Sequence, residues 1–343
     1  MSDARRPVAV LGGGSFGTAM TKIVADNGYQ TRLWVRDPET AAVINASREN
    51  ARYLPGAELP DSVVATESLE EALDGAGMVF VAVPSKAFVD VLGQAARWVP
   101  DGTLAVSCTK GIHGDGFLLM SQLLGRLWPQ ARVGVLSGPN LAKEIVEQRF
   151  TGTVVASDDA GLCHAVQEAL SCRYFRVYDN HDMFGVELAG ALKNIYAMAT
   201  GMAAALGVGE NSRAFLITRS LAEMSRFAVR LGANPMTFLG LAGVGDLIVT
   251  CSSSLSRNYR VGHMVGSGQS LDQALEALGQ TAEGVNTVQL VAAHARDNDI
   301  YMPIACGLHD ILFAGRPLQE VISGLMLGEH THDVEFAHLG ERA

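Results

Sequence analysis

Val8-Ala9-Val10-Leu11-Gly12-Gly13-Gly14-Ser15-Phe16-Gly17-Thr18-Ala19-Met20 opens the informative part of the chain. Four apolar residues, two of them β-branched, run straight into three glycines, and a fourth glycine precedes a helix-like stretch that ends near Asn27-Gly28. Strand, Gly-rich turn and helix are the context in which a GxGxxG pattern carries weight. Gly12 permits the tight turn, Gly14 lets backbone N–H groups approach a pyrophosphate, and Gly17 lets helix and strand pack closely. The helix start adds partial positive charge. The expected ligand is therefore a dinucleotide. About 20 residues on, where an acid would hold the ribose 2′-OH of NAD, Arg36 follows the second apolar strand. Asp37 could be that acid, but Asp37-Pro38 reads first as a helix N-cap with a first-turn proline. Arg36 on a 2′-phosphate favours NADP(H), with NAD(H) possible, against the alternative of a solvated arginine.

Working outward, short strand-like runs at 8–11, 31–35, 78–83, 104–107, 133–136, 152–156 and 175–178 alternate with helical segments. Such alternation predicts a mostly parallel sheet with helices on both faces. After Asp182 the strand signal ends, and 183–206, 212–231, 271–278, 285–297 and 308–312 read as helices separated by Gly or Pro. The expected fold is α/β: an N-terminal Rossmann-like doubly wound sheet over 1–181, then an all-helical domain over 182–343 that binds substrate and carries the chemistry.

With 343 residues, 48% hydrophobic and 18% charged, the chain has apolar material for two full cores. A net charge of −10 argues against a nucleic-acid surface, so a phosphate ligand must be held by a few placed cations. Five cysteines, widely spaced and without a CxxC pair, suggest neither a disulfide framework nor a zinc site. The apolar run 195–208 is too short to span a bilayer and is interrupted by Thr200. No signal-peptide core precedes the first strand, and a cytoplasmic location is expected. His330, His332 and His338 near the C-terminus lack ligand spacing and read as a solvated tail, so no metal is expected.

In a doubly wound sheet, ligands sit beyond the carboxyl ends of the strands. Lys110 in Thr109-Lys110-Gly111, and Gly138 and Asn140 in Gly138-Pro139-Asn140, occupy such positions. In the helical half, Lys193-Asn194 interrupts a segment made otherwise of Ala, Gly, Leu, Ile and Met. An ammonium there is costly unless it has a partner or a task such as proton transfer; the alternative is a lysine snorkelling to the surface. Asp246, between Gly245 and an apolar run ending at Thr250, needs a cation, with Lys193 or Lys110 the candidates. Ser256-Arg257-Asn258 reads as a helix start that offers capping side chains, backbone N–H groups and a guanidinium, a set suited to a phosphate monoester.

Taken in order, Gly12–Gly17, Val83-Pro84-Ser85, Thr109-Lys110-Gly111, Ser137-Gly138-Pro139-Asn140, Gly190-Ala191-Leu192-Lys193-Asn194, Gly245-Asp246-Leu247 and Ser256-Arg257-Asn258 closely resemble the NAD(P)-dependent glycerol-3-phosphate dehydrogenase family, bacterial type. The resemblance implies an oxidoreductase, typically a homodimer, that interconverts dihydroxyacetone phosphate and sn-glycerol 3-phosphate for phospholipid synthesis. It implies Lys193 as the proton-transfer lysine, with Lys110 and Asp246 beside it in the substrate pocket and Ser256, Arg257 and Asn258 on the substrate phosphate. Gly138, Asn140, Asn194 and Thr250 lie in the matched substrate segments. Ser15, Phe16, Arg36, Lys110 and Ala142 match cofactor positions, as do Thr281 and Glu283, with Arg257 sometimes shared. Asn140 stands where Thr is common, and Arg36 where some relatives carry His. Two other readings remain: a 3-hydroxyacid dehydrogenase of the same build, for which fewer cations would suffice, and a non-catalytic NADP sensor, which would need neither Lys193 nor Asp246.

Overall fold

A computed structural model describes residues 6–114, 116–279 and 282–327. The chain divides into two compact units, Met1–Glu187 and Leu188–Ala343. The division falls inside the helix Met183–Ala205, a little beyond the expected 181/182 boundary. The physical reason is Glu187, whose buried carboxylate accepts the backbone N–H of Ser121 at 2.9 Å and so keeps the helix's first turns with the first unit.

The first unit is built on β1 (Val8–Leu11), β2 (Thr31–Trp34), β3 (Val63–Thr66), β4 (Met78–Val81), β5 (Leu104–Ser107), β6 (Ile112–His113), β7 (Leu118–Leu119), β8 (Arg132–Ser137), β9 (Thr151–Ala156) and β10 (Phe175–Asn180). Eight of them form one sheet in the order β10-β9-β8-β5-β4-β1-β2-β3, and β6 and β7 pair separately as a hairpin. Every neighbouring pair in the large sheet is parallel except β8 with β9. Central strands such as Val8–Leu11 are buried at every position, which is why they read as unbroken apolar runs rather than alternating ones. One face packs Val8, Val10 and Phe80 against Met20, Ile23 and Val24; the other packs Ala9, Leu11 and Val81 against Phe88, Leu92 and Trp128. The Rossmann-like expectation holds. Two features escaped it: edge strand β3, four residues long with Val64 facing solvent, and the two-residue arms of the β6–β7 hairpin. Neither is long enough to show a periodicity.

The second unit is helical throughout its described residues. The helix start read at Ser256-Arg257-Asn258 opens Arg257–Gly266; besides the expected segments the unit contains Asp246–Ser252 and Leu318–Met326, and one π-helical turn, Leu241–Gly245, leads directly into Asp246. Two of its helices meet through glycine: a Cβ on Gly262 would lie 2.0 Å from the carbonyl oxygen of Met198, and one on Gly201 would lie 2.1 Å from that of Tyr259. This close approach brings the start of Arg257–Gly266 against the lysine-bearing helix. A methyl group there has nowhere to go, so Gly262→Ala should lower stability by roughly 1–3 kcal/mol in denaturant unfolding. Gly93→Ala, in a helix and with open space around the added carbon, should raise it by roughly 0.5–1 kcal/mol. The opposite ranking would refute the packing argument.

Candidate functional site

The glycine loop separates fold from function. Gly12 has φ +118°, and a Cβ on it would lie 2.7 Å from the carbonyl oxygen of Ala82; a Cβ on Gly17 would lie 1.9 Å from that of Gly12. The chain itself requires both. Gly14 differs: its φ is −72°, and an added Cβ would have nothing within 4 Å. It is the N-cap of the helix Ser15–Asp26, with no side-chain cap and no acid in the first turn. The positive end of that helix thus has backbone donors with open space in front of them, which fits the pyrophosphate of a dinucleotide. Ser15 Oγ donates to the Tyr53 carbonyl at 2.7 Å, and Phe16 packs partly buried against the core.

Asp37 caps the helix Pro38–Ser47, accepting the Thr40 N–H at 3.0 Å and the Thr40 hydroxyl. Those hydrogen bonds, the hydroxyl's above all, hold its carboxyl below the usual carboxylate range. Its job is structural, as its place before Pro38 suggested. Arg36, one residue earlier, is exposed at the end of β2.

At the carboxyl ends of β5 and β8, Lys110 is half-buried and its Nζ donates to the Gly138 carbonyl at 3.3 Å. Gly138 has φ +147° and lies against Thr153, where any side chain would be strained and crowded. Asn140 donates through Nδ2 to Thr153 Oγ1 at 2.9 Å, while its Oδ1 is buried without a hydrogen-bond partner. An orphaned acceptor at a strand end is a place where a ligand hydroxyl would be welcome. Ala142 begins the short helix Ala142–Val146. The first unit thus gathers Lys110, Gly138 and Asn140.

The second unit gathers the other set. Lys193 is 7% exposed and Asp246 0%, and they form a direct ion pair. Lys193 Nζ also donates to Thr250 Oγ1 at 2.8 Å, and that hydroxyl donates to the Asp246 carbonyl at 2.6 Å. Thr250 sits one helical turn after Asp246, so the helix that starts at the π-turn delivers carboxylate and hydroxyl together. Of the two candidate partners for Asp246, the structure pairs it with Lys193. The nearby Cys251 thiol is pushed up to about 12 by burial and stays protonated.

Ser256 is the N-cap of Arg257–Gly266, accepting Tyr259 N–H at 3.3 Å; Arg257 is exposed at the first position, and Asn258 is buried, its Oδ1 accepting Gly284 N–H at 3.1 Å. Gly284 lies so close to the Asn194 carbonyl that a Cβ would sit 2.8 Å from it. Asn194, Asn258 and the helix Glu283–Asp297, which begins with Glu283, are therefore one cluster. Thr281 and the histidine tail lie outside the described residues. Among the described residues, no group of three or more His, Cys, Asp or Glu is arranged to hold a metal ion, and no helix is long and apolar enough to cross a membrane.

Sequence reading passed over two buried carboxylates. Glu187 interrupts an apolar helix as Lys193 does, and that same signal marks it, whereas Glu223 lies in a helix rich in polar and charged residues and carries no such signal. Glu223 accepts the N–H groups of Ile304 and Ala305 at 2.9 and 2.8 Å and the Tyr196 hydroxyl at 3.2 Å, tying the lysine-bearing helix to the start of Pro303–Phe313. Burial raises its carboxyl from 4.5 to about 7. Unfolded, the group ionises near its ordinary value, so between there and 7 the folded state holds an extra proton, and stability falls as pH rises through that window. Glu223→Gln keeps an acceptor and cannot ionise. From pH 5 to pH 8 it should gain on the order of 1–3 kcal/mol relative to the parent in denaturant unfolding. A constant difference between the two proteins would contradict this.

With the geometry in place, the chain can be set beside known proteins. Family models described as NAD-dependent glycerol-3-phosphate dehydrogenase N-terminus and C-terminus match residues 7–163 and 182–323. The chain is 68% identical over 336 residues to a glycerol-3-phosphate dehydrogenase, NAD(P)+, of Alcanivorax borkumensis, covering 98% of each. It is 58% identical to the protein of that name from Pseudomonas fluorescens, over 97% of this chain and 94% of the relative. A crystal structure of glycerol-3-phosphate dehydrogenase from Coxiella burnetii superposes with a TM-score of 0.90 at 36% identity, covering 94% of this chain and 99% of that one.

Proposed function

The chain belongs to the NAD-dependent glycerol-3-phosphate dehydrogenase family, and we propose that the Lys193–Asp246 pair is the proton-handling centre of its reaction. The enzyme transfers a hydride reversibly between NAD(P)H and C2 of dihydroxyacetone phosphate, giving sn-glycerol 3-phosphate. Bound NAD(P)H supplies the hydride. The open N-terminus of Ser15–Asp26 binds the cofactor's pyrophosphate, with Ser15, Phe16 and Ala142 lining its seat, and Thr281 and Glu283 as later contacts.

As C2 is reduced, its oxygen gains charge and needs a proton. The Lys193 ammonium delivers it, and Lys110 is a second catalytic cation. Asp246 keeps the ammonium charged and aimed, and Thr250 fixes its direction from a second side. The observation that carries this reading is the buried ion pair itself: two charges are withdrawn from water at considerable cost, in a fold where well-packed apolar residues would serve stability as well. Arg257, exposed beside the Ser256 cap, holds the substrate phosphate together with the helix start and Asn258. Binding energy from that remote group aligns C2 for hydride transfer. Gly138 and Asn140 of the first unit, and Asn194 of the second, are further substrate-binding residues. The carboxylate-substrate dehydrogenase and the NADP sensor are set aside by family membership.

NADP(H) is the preferred cofactor, supported by a cation at Arg36 and by the engagement of Asp37 as a helix cap. The protein works as a cytoplasmic homodimer feeding glycerophospholipid synthesis. Exposed Phe215, Leu239 and Ile248 on the helical unit support self-association.

Lys193→Ala should lower kcat by roughly 10²–10⁴-fold while NADPH binding survives; unchanged turnover would remove Lys193 from the chemistry. Arg257→Ala, assayed alongside, should raise KM for dihydroxyacetone phosphate about tenfold or more without affecting phosphate-free dihydroxyacetone. An equal loss for both ketones would detach Arg257 from the phosphate. Arg36→Ala should shift the NADPH/NADH ratio of kcat/KM toward NADH, and an unmoved ratio would reject Arg36 as the selector.

A further inference from the structure

The peptide between Gly13 and Gly14 is held from behind. Asn50 is 2% exposed, and its Nδ2 donates to the Gly13 carbonyl and to Thr18 Oγ1, both at 2.8 Å. Val35 Cγ1 stands 2.3 Å from where a Cβ on Gly13 would be, so the backbone there is also packed against the residue that follows β2. Three residues after Asn50, the Tyr53 carbonyl takes the Ser15 hydroxyl, and the Tyr53 N–H returns to the Asn50 carbonyl at 3.1 Å. Residues 50–53 therefore grip the glycine loop on both sides of Gly14.

The chemistry of a trans peptide gives this grip a meaning. All peptide bonds in the described chain are trans, so the Gly13 C=O and the Gly14 N–H point in opposite directions. Holding the carbonyl inward on Asn50 turns the Gly14 N–H outward, into the open space ahead of the helix. Left to itself, a Gly-Gly peptide rotates at little cost, and the rotated form would set a carbonyl oxygen toward an arriving phosphate. We propose that Asn50 is a positioning residue, a latch that fixes the 13–14 peptide with its donor facing the dinucleotide pyrophosphate. One amide nitrogen does this with both hydrogens: one holds the carbonyl, and the other anchors the side chain to Thr18 on the helix whose N-terminus forms the seat. Asparagine suits the position because it offers two donors without a charge that would compete with the anion. The proposal rests on the dinucleotide reading of the glycine loop.

The test uses the intact protein and two ligands: NADPH, followed by its fluorescence on binding, and 2′-AMP, which lacks the pyrophosphate, followed by displacement of NADPH. Asn50→Ala should raise the NADPH Kd roughly tenfold, as expected for losing a buried donor from a neutral acceptor, and leave 2′-AMP within about twofold. An unchanged NADPH Kd, or equal weakening of both ligands, overturns the latch. Should circular dichroism show Asn50→Ala unfolded, Thr18→Val, which removes only the anchoring acceptor, decides. It should weaken NADPH roughly threefold and spare 2′-AMP, and no change, or equal change in both, overturns the proposal. A parent protein that binds neither NADPH nor NADH overturns the dinucleotide reading and the latch with it, whereas parent binding with an indifferent Asn50→Ala overturns the latch alone.

Discussion

An ammonium and a carboxylate taken out of water together constrain most of the second unit. Lys193 and Asp246 come from helices more than fifty residues apart in sequence, and neither could be buried without the other. Much of the surrounding architecture makes their meeting exact enough to last. The π-turn at Leu241–Gly245 feeds Asp246 into its helix, Thr250 follows one turn on, and Glu223 braces the lysine-bearing helix through Tyr196. Gly201 and Gly262 let the helix that starts at Ser256-Arg257-Asn258 come up against that same helix, so this segment and Lys193 share one packed support.

The first unit solves a different problem, which is how to hold a large anion with almost no charge. With a chain-wide excess of acids, a broad basic surface was never available. The loop instead presents a helix start without a side-chain cap and an open Gly14. Among the unit's cations, Arg36 is exposed just past β2 and Lys110 is half-buried beside the Gly138 carbonyl. Asp37, the acid next to Arg36, is already committed to Thr40 as a helix cap.

Much of this was legible in the residues. Strands buried on both faces appear as bare apolar runs, and the glycine loop, Arg36, Lys110, Lys193 and Asp246 all stand out by chemical contrast with their neighbours. What stayed hidden has physical reasons. Edge strand β3 and the β6–β7 hairpin are too short for any period to register. The choice of Lys193 over Lys110 as partner of Asp246 depends on helix packing, which local pattern does not encode. Asn50 lies in a polar turn where an asparagine attracts no notice, and its importance comes from contacts with residues more than thirty positions earlier. Glu187 was visible by the rule that singled out Lys193, whereas Glu223 sits in a polar helix with Arg226 one turn on, where a carboxylate attracts no notice.

The central claim is that Lys193 gives its proton to the substrate oxygen. Chemical rescue tests it most directly: primary amines of graded basicity are added to Lys193→Ala at saturating NADPH and dihydroxyacetone phosphate. If the ammonium is the acid, turnover rises with amine concentration, and the restored rate falls as the amine becomes a weaker acid, with a linear dependence of its logarithm on amine pKa. A variant that binds both ligands yet responds to no amine, or to all of them equally, would show that the buried lysine holds the structure together and that the proton comes from elsewhere.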